Sequence, residues 1–303
     1  MSARRPSTRE AVACRLRGLS RRVPIIVVLG FTTSIGPFAA SPLEAQSRRT
    51  MTSERQVWDT SPLDVEIDYG AGRLELGPAE SPTLYRMELE YDERAVEPTI
   101  EFNEARRTLR LGVRSVEGRG RRNVREGSSS SILLTREVPL DLDLEFGAGR
   151  AEIELGGLSL RNLTLATGAS ETRVSFGSTN VIAADQIRIS AGAADLRVLG
   201  LGNARAREIR FMGGVGATVL DFGGAWSQDA TASVEMGVGS VTLRLPRELG
   251  VRINRSSFLT SFTAPGMERD GNSYLTSNWG SALRHLTIDL SAALGSIQIE
   301  WID

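Results

Sequence analysis

The chain has 303 residues, 41% of them hydrophobic and 24% charged, with a formal net charge of −1; that is enough apolar material for a core and too little net charge for wholesale disorder. All 36 basic residues are arginine, and the chain has one histidine, His285, and one cysteine, Cys14. Schiff-base lysine chemistry, a histidine-cluster zinc site and any intrachain disulfide or CxxC pair are thereby excluded.

Residues 1–45 read as an export signal. Arg4, Arg5, Arg9, Arg15, Arg17, Arg21 and Arg22 form a basic n-region. Pro24-Ile25-Ile26-Val27-Val28-Leu29-Gly30-Phe31 opens an apolar stretch, and Leu43-Glu44-Ala45 precedes a cleavage point before Gln46. An uncleaved anchor and a translation start at Met51 are the alternatives. Residues 1–45 hold seven arginines and two glutamates. The expected mature chain therefore has 29 arginines against 35 acids, a net charge of −6. Such a chain is a poor candidate for nucleic acid and offers no basic face to an anionic membrane. No membrane span is expected in it unless the signal is retained.

Residues 46–117 form an N-terminal β region. Its segment 65–76 alternates apolar and polar residues around Gly70, and two further strand-like runs follow at 84–91 and 108–113. Residues 118–131, rich in Arg, Gly and Ser, break the periodicity and read as a flexible linker. From 132 to 303 the pattern of the first segment returns around Gly147, Gly168, Gly192, Gly214 and Gly237, at interior spacings of 21, 24, 22 and 23 residues. A final copy carries Ala293 in the glycine place and Gly295 just after it. Residues 254–285 contain Pro265-Gly266 and Asp270-Gly271 and read as a loop insertion.

The phase of the repeat carries the fold prediction. Apolar residues fall one, three and five places before each glycine, as in Phe146, Leu144 and Leu142. They fall four, six and eight places after it, as in Ala151, Ile153 and Leu155. Five steps separate the two sets, so a straight strand would bury one and expose the other. Both face inward only if the chain bends at the Gly-Ala-Gly segment. A unit of this kind repeated every 22 residues or so predicts an all-β fold, a right-handed single-chain β-solenoid, with Gly70, Gly147, Gly168, Gly192, Gly214, Gly237 and Gly295 as structural corners. A meandering sandwich is the rival.

The run Val138-Pro139-Leu140-Asp141-Leu142-Asp143-Leu144-Glu145-Phe146-Gly147-Ala148-Gly149-Arg150-Ala151-Glu152-Ile153-Glu154-Leu155-Gly156-Gly157-Leu158 resembles the signature of the bacterial toast-rack family, related to the LiaF-like proteins of the cell-wall-active antibiotic response. Segment 65–76, with Gly70-Ala71-Gly72, looks like its N-terminal counterpart. The resemblance extends over most of residues 60–303. It implies a β-helix at the cell envelope with no established chemistry. Gly-corner repeats also occur in adhesin heads of similar architecture.

No catalytic, cofactor-binding or metal-binding residue is assigned, and no cofactor is expected. Asp64, Glu66, Asp68, Asp141, Asp143 and Glu145 alternate along strands and read as solvated faces, because calcium loops gather their oxygens on a tight turn. Trp226, Phe258, Tyr274 and Trp279 form a candidate ligand platform. The expectation is a non-catalytic exported envelope protein, a scaffold or adhesin-like module with a link to envelope stress. Its partner would be an envelope protein or a glycan, in the periplasm or at the cell surface of a bacterium. A carbohydrate-active enzyme or glycan-binding protein on the same scaffold is the alternative.

Overall fold

The computed structural model describes residues 48–115 and 128–303, with the side chains of Ser115, Ser257 and Phe258 left out. The expected signal and residues 118–127 of the expected linker lie outside the described residues. The described residues form one compact unit.

Six long strands carry the repeat: β2 (Leu63–Pro78), β7 (Leu140–Glu154), β8 (Leu160–Ser175), β9 (Gln186–Leu199), β10 (Glu208–Asp221) and β11 (Ala230–Pro246). They lie side by side in that order and pair in parallel. In β7 the buried positions are Leu140, Leu142, Leu144 and Phe146, then Ala151 and Ile153. Burial therefore switches from even to odd positions across residues 147–150, as the sequence phase required. Leu142, Leu163, Ile187, Ile209 and Ala232 stack in register before the switch. Leu76, Ile153, Val174, Val198, Leu220, Leu243 and Ile299 stack after it, and none is more than 3% exposed. These two inward ladders are the core.

The expected domain boundaries are revised by the pairing. Although β2 is far from β7 in sequence, the two pair in register from Leu63↔Leu140 to Leu76↔Ile153. Strand β5 (Thr108–Ser115) pairs with the first half of β2, and β6 (Ser129–Leu134) with its second half. Strand β4 (Val96–Asn103) extends β5, while β3 (Thr83–Asp92) and β1 (Arg48–Gln56) extend β6. The strands of the N-terminal region and those after residue 132 thus share one sheet. Ser129, Ser130 and Ser131, expected in the linker, are strand residues, and Ser130 is buried. Their register partners Arg73, Leu74 and Glu75 supply the ladder that overrides a loop-like composition.

The insertion expected at 254–285 is also corrected. Residues 254–263 belong to β12 (Gly250–Thr263), a further long strand with Val251 and Ile253 fully buried. Only β13 (Met267–Asp270) and β14 (Ser273–Thr276) form a hairpin, which returns to pair with Arg252–Asn254 positions of β12. The last strand, β15 (His285–Ile302), then inserts between β11 and β12, parallel to both. Strand β12 escaped the repeat because Phe258-Leu259-Thr260 stands where the others carry glycines.

Two columns of close backbone approach run along the phase switch. A Cβ on Gly147 would overlap the Gly70 carbonyl oxygen, and one on Gly168 would overlap that of Gly147. The approach is looser at Gly192, where the nearest carbonyl oxygen, that of Gly168, would be 3.3 Å away; at Gly214 and Gly237 it is 2.6 Å, to Gly192 and Gly214. Positive φ does not occur in this column. It occurs two residues later, at Gly72, Gly149, Gly216, Gly239 and Gly295, of which only Gly295 is among the expected corners. Gly295 pairs with Gly239, so it belongs to this second column and not beside Gly237.

Candidate functional site

Three residues of the expected platform have described side chains, and each has its own surroundings. The Trp226 indole N–H donates to the Phe222 carbonyl at 2.7 Å, and the ring packs against the core. Tyr274 lies against Phe262, with ring centroids 4.7 Å apart. The Phe258 side chain lies outside the described residues. Trp279 lines an open cavity of about 440 Å³, together with Arg207, Asp229, Thr231, His285 and Thr287. There the His285 backbone N–H donates to Asp229 at 2.9 Å. Its ring Nε2 sits 2.9 Å from the Trp279 carbonyl oxygen and its edge packs on the Trp279 ring at 4.8 Å. Arg252 lies 4.9 Å over the same ring. The imidazole is held by a main-chain carbonyl, so these contacts anchor the loop before β15.

The alternating acids form a ladder of like charges. Asp64, Glu66 and Asp68 lie opposite Asp141, Asp143 and Glu145. Arginines neutralise part of it: Arg110 donates to Glu66 at 2.7 Å, and Arg161 holds Asp141 through Nε at 2.9 Å. The Arg161 hydrogen bonds keep the Asp141 carboxyl below its ordinary range. Asp64 is pushed above it, by partial desolvation first and the Asp141 charge second. Among the described residues, no three His, Cys, Asp or Glu side chains are grouped to hold a metal ion.

These opposite shifts predict opposite pH effects. The native state binds the Asp64 proton more tightly than the unfolded chain does, so its deprotonation opposes folding above the ordinary carboxylate range, about pH 4. Asp64→Asn should raise the unfolding midpoint at pH 7, by up to about 1 kcal/mol, the size of one cross-strand like-charge pair. The gain should vanish below that range. Asp141→Asn should lower the midpoint at pH 7, and its cost should shrink as falling pH protonates the wild-type group. Urea titrations at pH 3 and pH 7 check both; a gain for Asp141→Asn at neutral pH would contradict the assignment.

A third feature lies on the Gly-x-Gly segments themselves. The middle residue is exposed or half-buried on every strand and stacks in register: Ala71, Ala148, then Ala169, and Ala193 with Val215, Val238, Leu294 and Leu259. Alanine serves on four strands. On the next four the place is taken by Val215, Val238, Leu294 and Leu259, which are 57, 44, 48 and 63% exposed. The residue two places later changes in step: Arg73, Arg150, Glu171 and Asp195 give way to Ala217, Ser240, Ser296 and Ser261. The fold is built equally well with alanine, so the four large aliphatic side chains are not there for the core. A contiguous exposed apolar patch rimmed by polar residues marks a contact surface.

Comparison with known proteins gives one family. The N-terminal domain of toast_rack, DUF2154, matches residues 42–199 and 185–244. None of the curated proteins matches the chain. Among solved structures, a candidate cell adhesion protein of Clostridium sporogenes is similar at 17% identity and a TM-score of 0.45, covering 84% of this chain and 100% of its own. A candidate adhesin of Bacteroides fragilis is similar at 13% identity and a TM-score of 0.40, covering 84% and 98%.

Proposed function

The chain belongs to the toast-rack family, and from that premise we propose that it is a non-catalytic exported protein of the cell envelope, an interaction scaffold of the adhesin-like kind. The observation that supports this most is the exposed aliphatic column Val215, Val238, Leu294 and Leu259, a contact surface built on a repeat that does not need it. Kinship to the LiaF-like proteins and a link to envelope stress belong to the same reading. So does a right-handed coil of about 22 residues per turn, bent at the Gly-x-Gly segments; parallel crossover connections are right-handed in nearly all known cases. Among the described residues no helix is long and apolar enough to cross a membrane.

Two measurements test the reading. Mass spectrometry of the chain recovered from the envelope should find a species beginning near Gln46. Full-length protein retained in membranes would favour an anchor instead. Incubation of the purified chain with envelope polysaccharides should give no turnover; hydrolysis abolished by a single carboxylate change would overturn the non-catalytic assignment.

A further inference from the structure

We infer that the aliphatic column is the contact by which two copies of this chain associate, ridge against ridge about a twofold axis. The inference deepens the scaffold reading, and rests on it, by naming the partner.

The four side chains occupy adjacent strands, β10, β11, β15 and β12 in that order. With strands about 4.8 Å apart, the ridge is about 14 Å long. Its sizes are graded, valine on the first two strands and leucine on the last two. A twofold axis between Val238 and Leu294 therefore sets Val215 against Leu259 of the other copy and Val238 against Leu294 of the other copy. Each small knob meets a large one, and the strand spacing is identical on both sides, so all four contacts register together. Isologous contacts of this self-complementary kind are the commonest in homo-oligomers.

The surroundings favour a flat protein partner approaching closely. Gly216, Ala217, Gly239, Ser240, Gly295 and Ser296 flank the ridge and carry no charge. Charged side chains fill the same flank on the strands where the middle residue is alanine. Two copies can therefore meet here without placing like charges against each other, although the chain as a whole is acidic. A lipid surface is a poorer match. Interfacial contacts favour Trp and Phe beside a basic fringe, and this column is made of valine and leucine alone.

Sedimentation velocity of the exported chain over a concentration series tests the inference. The wild type should pass from its monomer to a species of twice the mass. Val238→Arg and Leu294→Asp should each weaken association at least about 100-fold, because each dimer loses two central contacts. Mixing the two variants should restore a heterodimer, since the twofold sets the new arginine against the new aspartate. Unchanged denaturant midpoints would show that both variants fold. A wild type that stays monomeric, a dimer indifferent to both substitutions, or two variants that fail to complement each other overturns the inference. So does binding of the monomeric chain to phosphatidylcholine vesicles that Val238→Arg abolishes, which would assign the ridge to lipid. None of these outcomes touches the polysaccharide and mass measurements above, so the two readings fail separately.

Discussion

Gly239→Ala should be among the most damaging single methyl additions to this chain, at about 3–5 kcal/mol of stability. Two costs combine. Gly239 has φ of 144°, where an L side chain is strained, at about 1–3 kcal/mol for such a backbone. Its added Cβ would also overlap the carbonyl oxygen of Gly216 on β10, with the Met236 side chain 2.9 Å away on another side. Overpacking of that kind costs about 1–3 kcal/mol where the neighbours cannot move. They cannot here: β11 is hydrogen-bonded to β10 on one side and to β15 on the other, in register along nearly its whole length. Gly271→Ala separates the two costs. Gly271 has φ of 61° with nothing within 4 Å of the added atom, so only the left-handed backbone is charged, at about 1–2 kcal/mol. Urea midpoints of the two variants make the comparison. A loss at Gly239 no greater than that at Gly271 would mean that the strands slide apart freely, contrary to a stacked core.

Leu220→Ala and Leu243→Ala should each cost about 2–5 kcal/mol, the range for buried leucines that leave a cavity. Both are at most 1% exposed and are register partners in the ladder after the phase switch. Each has large aliphatic neighbours above and below, Val198 for Leu220 and Ile299 for Leu243. Collapse into the vacated space would have to break a parallel ladder, so little relaxation is available. Arg173→Ala and Arg197→Ala lie on the outward face of the same arm and should change stability by less than about 0.5 kcal/mol. These two arginines are themselves opposite in register, so one of them lost relieves a repulsion. Equal losses for leucine and arginine variants in denaturant titrations would refute the inward and outward assignment.

The site was less legible than the fold. Trp226, Phe258, Tyr274 and Trp279 drew attention because aromatic residues in loops suggest a platform, but Trp226 packs against the core and Tyr274 against Phe262, while Trp279 lines an open cavity. The aliphatic column was hidden for the opposite reason. Val215, Val238, Leu294 and Leu259 are unremarkable one at a time, each a single aliphatic residue in a different copy of the repeat or in a strand outside it. A signal was present: the middle residue of the Gly-x-Gly segment changes from alanine to valine on passing from the fourth copy to the fifth. Only the register shows that Leu294 and Leu259 continue the same line.

By itself the sequence determined which side chains face inward. Alternation is a property of the extended backbone, so the apolar set of each arm, and the change of phase between arms, could be read from spacing alone. It also determined the export-like leader as an expectation and the family resemblance that the profile match bears out. What only the tertiary structure decided is which strands are neighbours. The pairing of β2 with β7, the strand character of Ser129–Ser131 positions, and the insertion of β15 between β11 and β12 depend on main-chain hydrogen bonds. Those bonds are made by groups common to every residue except proline's missing N–H, so they leave almost no trace in residue identity. The glycine column with positive φ follows from the same cause: a side chain is forbidden there by the carbonyl of a neighbouring strand, which the chain meets only after it has folded.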